Sequence, residues 1–416
     1  MRILLVTRNL PPLIGGMERL NWHMADELRK VAEVRVVGPQ GSAVLAPAGI
    51  DVREASLKPL WKFLLAAARI SCREARQWQP DIVLAGSGLT APLAYLAARA
   101  CSARTAVYVH GLDIAVKHTA YRALWLPAIR RMDCVIANSR ATADLCRGIG
   151  IDPGRLAIVH PGVELPSEPT GTADSPCAAF LPERDRGEGT GSVHRLYAFR
   201  AHHRLGTRPL LLSVGRLSTR KGLREFVSLA LPRIVAVRPD ALLVVIGDAP
   251  SLALHAQAQT SSSIQAAADA AGVGRNLLFL GTITDYDELG AAYRAADVHV
   301  FPVRDIPGDP EGFGMVAVEA AAHGLPTAAF ATGGVVDAVA EGQSGRLVVP
   351  GDYAAFADAV LRILAGRDAL RQPSMAFARR FAWPEFGQRV HVALRRLIGV
   401  ETRFPEVPLP PGEGLG

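Results

Sequence analysis

The chain has 416 residues, 49% hydrophobic and 20% charged, which excludes a disordered protein and provides for two or three packed domains. Net charge is +7, but residues 1–165 carry 21 Lys and Arg against 13 Asp and Glu, and the rest 25 against 26. A basic first half beside a neutral second half predicts different partners for the two.

Arg2–Thr7 is an apolar run that predicts a buried strand, followed by the Pro/Gly loop NLPPLIGG and an amphipathic helix over Met17–Lys30. Val34–Val37, Asp81–Ala85, Thr105–Val109, Cys134–Ala137 and Leu156–Val159 continue the strand pattern, with helical patterns between most of them. Such alternation predicts βαβ units and a parallel sheet. From about 166 to 206 the chain turns rich in Pro, Gly, Ser, Thr and charge, which predicts an exposed linker.

Alternation resumes with strands predicted at Leu210–Val214, Leu242–Ile246, Leu277–Leu280, Val298–Pro302, Thr327–Phe330 and Leu347–Val349. Helices are predicted over roughly 222–237, 286–295, 314–323, 334–341 and 353–365. The expected architecture is α/β, with two doubly wound halves facing a cleft, over 1–165 and 207–383. The tail 401–416 is expected to be disordered. The N-terminus reaches Arg8 too soon for a signal-peptide core, and the uncharged stretch Ile82–Ala98 is too short and broken to span a membrane. The five cysteines (72, 101, 134, 146 and 177) are scattered without a CxxC, as reduced thiols would be. A cytoplasmic location is expected.

Four segments carry candidate chemistry. Glu311-Gly-Phe-Gly-Met-Val-Ala-Val-Glu319 follows a strand and opens a helix near Gly314. Free backbone N–H groups at such a helix start favour an anion, and the flanking acids suit hydroxyl-rich groups. Ser213-Val-Gly-Arg-Leu-Ser-Thr-Arg-Lys-Gly222 sets Arg216 and Lys221 at a strand's carboxyl end, where two cations could neutralise a diphosphate. Gly215 allows a sharp turn there. Gly15-Gly16 precedes a helix and admits close approach to a phosphate. His110 ends the strand TAVYV, facing the cleft. Taken singly, each also fits a blander role: surface acids, helix-end cations, a plain turn, a structural histidine. Asp285-Tyr-Asp287 reads as a helix N-cap and not a metal site. No metal or cofactor motif is found, and the dispersed basic residues match no nucleic-acid module.

At these residues the chain resembles the retaining GT-B glycosyltransferases of glycosyltransferase family four. The resemblance spans Gly15-Gly16, His110-Gly111, VIANSRATADLC (135–146), VGR…KG (214–222), FLGTITDYDELGAAYRAADVHVFP (279–302), Glu311–Glu319, Gly333-Gly334, SGRLVVPGD (344–352) and FAWPEF (381–386). It implies that Arg216 and Lys221 hold the diphosphate of a nucleotide-sugar donor and that Glu319 binds its ribose. Glu311 would contact the donor sugar, with Gly312, Phe313, Gly314 and Met315 beside sugar and phosphate. Gly15, Gly16 and Gly215 would line the same site, and His110 the sugar. It implies metal-independent chemistry without a cofactor, and a C-terminal helix over about 384–400 crossing back to the first domain. Three features depart from the family pattern, one of them a linker longer than usual. Asp337 stands where Glu is common, and Val159-His-Pro-Gly-Val163 replaces I-P-N-G-V.

The acceptor is expected to meet the basic first domain. Leu57–Gln79 and Lys117–Arg131 mix aromatics with Lys and Arg, as helices lying on an anionic membrane surface do. Two ordinary amphipathic helices would read the same way. A lipid-linked or glycan acceptor at the cytoplasmic face is therefore expected. The stretch DPEGFGMVAVEAAAHGLPT (309–327) resembles that of phosphatidylinositol mannosyltransferases, which implies a GDP-mannose donor, with a UDP-sugar as the other choice. Another GT-B activity, epimerase or phosphorylase, or an inactive GT-B scaffold, is the alternative.

Overall fold

The computed structural model describes residues 1–13, 15–166, 197–249 and 259–399. Two parallel sheets organise them. The first contains β1 (Arg2–Val6), β2 (Glu33–Pro39), β3 (Asp51–Ala55), β4 (Ile82–Ala85), β5 (Arg104–Val109), β6 (Cys134–Ala137) and β7 (Leu156–Ile158). Their order is β3-β2-β1-β4-β5-β6-β7. The second contains β8 (Leu210–Val214), β9 (Leu242–Ile246), β10 (Leu277–Gly281), β11 (Val298–Phe301), β12 (Thr327–Phe330) and β13 (Gly345–Val348), in the order β10-β9-β8-β11-β12-β13.

Each sheet reverses its winding beside its first strand. In the first, Ile3 lies opposite both Val34 and Ile82. In the second, Leu211 lies opposite Leu243 and Val298. Loops leaving the carboxyl ends of strands on either side of such a reversal diverge and open a crevice. The central strands are largely apolar because both faces are covered. Leu4, Val6, Val83 and Val107 pack into one layer, and Ile3, Leu5, Ile82 and Ala106 into the other.

The differences from expectation have local causes. The unexpected β3 is a charged edge strand, DVREA, with no apolar run to reveal it. The predicted helix over 222–237 is two helices, Leu223–Leu229 and Leu231–Val237, with Pro232 in the first turn of the second. An unexpected helix, Ser261–Ala270, is made of small residues and fixed by a capping box between Thr260 and Ser263. The helix expected over 353–365 runs from Tyr353 to Arg379, kinked at Gly366. Asp285 caps the helix Tyr286–Ala295 by accepting from the Glu288 N–H at 2.9 Å.

The linker expectation needs one correction. Residues 197–202 are helical, and Phe199 and Leu205 are buried with Leu210 and Tyr293. The second half therefore begins to pack before residue 207, because two apolar side chains in that polar stretch reach its core. Residues 167–196 and the tail 401–416 lie outside the described residues.

After Arg379 the chain returns. Val163 N–H donates to Phe381 C=O at 2.7 Å, so the outgoing and returning segments of the crossover lie side by side. The helix Trp383–Arg395 then packs on the first half, where Trp383 stacks on His23 with ring centroids 3.9 Å apart.

Candidate active site

The site is built from loops at the carboxyl ends of strands flanking the two reversals. After β8 the chain turns through Gly215 and Arg216 and reaches a short turn, Thr219–Lys221. Gly222 has φ +69, and a Cβ there would strike the Pro302 carbonyl. Glycine thus lets this turn press against the exit of β11. Ser213, Gly215, Arg216, Lys221, Phe301 and Pro302 line a small pocket between them.

Lys221 Nζ donates to Glu311 Oε2 at 2.8 Å and stands 4.6 Å over the Phe301 ring. Arg220 Nε lies 3.3 Å from the same carboxylate oxygen. Arg220 also donates to Asp309 Oδ1 at 2.6 Å and to Pro310 C=O at 3.1 Å. Burial by itself would raise the Glu311 pKa, but Lys221 and Arg220 outweigh it and hold the group at about 2. Glu311 is therefore a fixed carboxylate at neutral pH. Burial lowers the Lys221 pKa, and Glu311 opposes that shift. Arg216 is exposed on the rim of the pocket, without an ion pair among the described residues.

The next segment supplies a helix start. Phe313 is buried, and Gly314 has φ +95, where a Cβ would lie 2.8 Å from Phe301 Cε1. Gly314 precedes the helix Met315–Ala322 and offers no side-chain cap. The Ala317 N–H donates back to Gly314 C=O at 3.0 Å, so only the N–H groups ahead of it keep their capacity to bind an acceptor or anion. Gly334 N–H donates to Glu311 C=O at 2.9 Å, which ties the loop to the Gly333-Gly334 turn. One turn into the helix, Glu319 accepts from Tyr293 Oη at 3.1 Å and forms an ion pair with Arg19 of the first half.

The first half supplies the facing wall. Gly16 opens the helix Gly16–Arg29, and a Cβ at Gly16 would stand 3.6 Å from Met315 Sδ. Gly15, just before it, has its own Cβ position against the Glu18 carboxylate. His110 N–H donates to Asp113 Oδ2 at 3.0 Å, and His110 Nε2 lies 3.3 Å from Gly86 C=O. A Cβ on Gly312 would come 2.7 Å from the His110 carbonyl oxygen and 2.8 Å from Asn138 Nδ2. The two halves touch here with no room for a side chain.

A second contact joins the halves nearby. Asp337 accepts from the Arg140 backbone N–H at 2.6 Å and from its guanidinium, and lies 3.2 Å from His160 Nε2. The His160 ring stacks on Phe313 at 5.4 Å. Burial would raise the Asp337 pKa, but His160 and Arg140 together lower it.

The structure thus brings Lys221 against Glu311, sets Arg216 on the same pocket, and faces Gly16 to Met315 and His110 to Gly312. It does not unite the two acids of the E-x7-E element, which serve separate ion pairs. Arg220, Arg19, Asn138 and Tyr293 were missed. The Arg220-Lys221 doublet was visible, but spacing did not reveal that both cations reach one carboxylate. Arg19 lies one turn inside a helix, and nothing near it in sequence marks it. Among the described residues no three His, Cys, Asp or Glu converge as a metal site.

Two family models match the chain. The one described as Glycosyltransferase Family 4 matches residues 14–166, and Glycosyl transferases group 1 matches 198–379. The GDP-mannose-dependent alpha-(1-6)-phosphatidylinositol monomannoside mannosyltransferase of Mycolicibacterium smegmatis is 28% identical over 395 residues, covering 91% of this chain and 92% of that one. The D-inositol 3-phosphate glycosyltransferase of Geodermatophilus obscurus is 34% identical over 266 residues, which is 61% of this chain and 50% of that protein. Among solved structures, Anabaena HepE in complex with UDP has a TM-score of 0.74 at 20% identity, covering 95% of this chain and 100% of that one. Sucrose-phosphate synthase from Thermosynechococcus elongatus has a TM-score of 0.71 at 20% identity, covering 95% and 99%. With both halves matched in order, and with two doubly wound sheets facing a common crevice, the chain belongs to the GT-B glycosyltransferases of family four and is similar to the phosphatidylinositol mannosyltransferases.

Proposed function

We propose that this chain is a retaining, metal-independent hexosyltransferase that moves a sugar from a nucleoside diphosphate to a hydroxyl of a lipid-linked or glycan acceptor in cell-envelope synthesis. The observation that carries the reading is the pocket at the ends of β8 and β11. Arg216 and Lys221 lie on one side of it, and the uncapped start of Met315–Ala322 follows in the next loop. A lysine held in place by Glu311, a second cation on the rim and the N–H groups ahead of Ala317 suit the charge that develops on a departing diphosphate.

In this reading the bond from the sugar's anomeric carbon to the diphosphate oxygen breaks, and its electron pair leaves with the phosphate. Arg216 and Lys221 take up that charge. The acceptor oxygen attacks the oxocarbenium-like carbon on the face the phosphate has left, and its proton passes to the leaving phosphate oxygen. Glu311, held ionised by Lys221 and Arg220, orients the sugar by accepting from its hydroxyls. Glu319 takes the ribose hydroxyls, and His110 lines the sugar site. GDP-mannose is the first donor to test, since the mannosyltransferase relatives are named for it. Both groups of relatives are named for acceptors that carry an inositol phosphate, which makes that class the first acceptor to try.

The surface of the first half supports a membrane-side acceptor. On the helix Leu60–Trp78, Trp61, Lys62, Leu65, Arg69, Arg73 and Arg76 are exposed at helical spacing. No helix among the described residues is long and apolar enough to cross a membrane. A peripheral, charge-dependent association with the inner face is the corresponding proposal.

The test begins with calorimetric titration of the protein with GDP, UDP, ADP and CMP in EDTA. Binding of one diphosphate without metal names the donor base, and the anomeric configuration of the product, read by NMR, tests retention. An inverted product, or a requirement for metal, would sink that part of the reading. Failure to bind any nucleotide would favour the scaffold alternative.

A further inference from the structure

The helices Gly16–Arg29 and Met315–Ala322 come from different halves and meet across the crevice. Gly16 faces Met315, and one turn along Arg19 reaches Glu319. The Arg19 guanidinium meets two groups of the second half: the Glu319 carboxylate, and the Tyr286 ring at 6.0 Å. Its Nε is buried without a hydrogen-bond partner. Glu319 is mostly buried, with Arg19 on one carboxylate oxygen and Tyr293 Oη on the other.

This arrangement conflicts with a ribose on Glu319. A vicinal diol presents two O–H donors, and it would bind the carboxylate with both oxygens. Tyr293 comes from the same half as Glu319 and gives one neutral hydrogen bond. Arg19 comes from the opposite half, gives a charge-assisted bond, and covers Glu319 from the crevice side.

We propose that Arg19 is a gate on the donor site: its ion pair with Glu319 and the donor ribose compete for one carboxylate. This inference rests on the assignment of Glu319 to the ribose. Binding of the nucleotide must then displace Arg19, so the pair lowers donor affinity and couples ribose recognition to a contact between the halves. A nucleotide lacking the ribose hydroxyls does not call on Glu319 and leaves the pair in place.

Calorimetric titration of the full chain with GDP and UDP, and with their 2′,3′-dideoxy counterparts, tests the gate. Arg19→Ala should tighten the ribonucleoside diphosphate about 1.5–5-fold, the range a partly exposed ion pair commands, and leave the dideoxy form unchanged. Arg19→Lys, which keeps the charge but loses the planar fork, should fall between. Glu319→Ala should weaken the ribo form and leave the dideoxy form unchanged. Thermal melts of Arg19→Ala and Arg19→Lys identify a variant that does not fold, and the other then decides. Weaker or equal binding of the ribo form by Arg19→Ala, with Glu319→Ala still weakening it, overturns the gate alone. An unchanged ribo affinity in Glu319→Ala overturns the ribose assignment, and the gate with it.

Discussion

Lys221 and Glu311 lie 90 residues apart in the chain and meet at 2.8 Å, joining the turn after β8 to the loop after β11. Their side chains are 19% and 11% exposed, so the pair is neither a solvated surface contact nor a sealed one. It locks the lysine in the pocket and keeps the carboxylate ionised. Both groups are thereby prepared for a polar ligand without further rearrangement.

Loss of that lysine should be felt first in binding. Lys221→Ala removes a charge-assisted donor of about 1.5–3 kcal/mol, so nucleoside diphosphate affinity should fall roughly 10–100-fold. Glu311→Gln should keep most of the nucleotide affinity and lose turnover if, as proposed, Glu311 orients the sugar. Calorimetry and initial rates separate the two, and unchanged affinity in Lys221→Ala would contradict the site.

Acid should destabilise the protein in two stages. Burial depresses the pKa of His299 to about 3, and those of His23 and His323 to about 4, from 6.5. The unfolded chain therefore binds protons that the folded chain refuses, and stability falls as pH drops below 6.5. Glu311, at about 2 against an ordinary 4.5, adds stability that is present above 4.5 and lost as pH falls towards 2. Urea midpoints at pH 7, 6 and 5 should decline, and His299→Leu should flatten the decline. A midpoint constant over that range would refute the first stage.

The contact between halves should depend on one carboxylate. Asp337 holds Arg140 and His160, and its side chain is almost wholly buried. Asp337→Asn removes the charge and leaves its partners poorly matched, at an expected cost of about 1–3 kcal/mol to the contact between the halves. The donor KM should rise, and small-angle scattering should report a larger mean radius. An unaltered radius would mean that other contacts hold the halves.

Gly312 should tolerate nothing larger. A methyl there meets the His110 carbonyl oxygen at 2.7 Å, across the crevice and not within one half. Gly312→Ala should therefore leave the melting temperature within a few degrees and lower kcat/KM by roughly tenfold or more, since small misplacements at a reacting centre are costly. A large loss of melting temperature would place the strain inside the second half instead.

Association with lipid should follow the exposed stripe on Leu60–Trp78. At about 1 kcal/mol per basic residue, Arg69→Glu with Arg73→Glu should abolish sedimentation with anionic vesicles at low salt, and Trp61→Ala should weaken it. The wild type should release as salt rises, and equal binding to neutral vesicles would oppose an electrostatic mode.

Much of this was legible in the residues. Short apolar runs such as ILLV and LLVVI, four or five residues long and followed by turn residues, read as strands covered on both faces, so the two parallel sheets follow from local pattern. Gly312 has a physical reason to be glycine, because a Cβ there would meet the His110 carbonyl oxygen at 2.7 Å. The charged edge strand DVREA and the small-residue helix Ser261–Ala270 were not legible, since neither has a periodic apolar face.

The sequence by itself therefore determined the fold class and which loops gather at the crevice, since both arise from spacing along one segment at a time. Only the tertiary structure decided the partners. Arg220 joining Lys221 on Glu311, Arg140 and His160 meeting on Asp337, and Arg19 covering Glu319 are all long-range pairings. Such pairs form because a partly buried charge must find an opposite charge nearby. Which charge is nearby depends on how two halves, folded from separate stretches of chain, come to face each other.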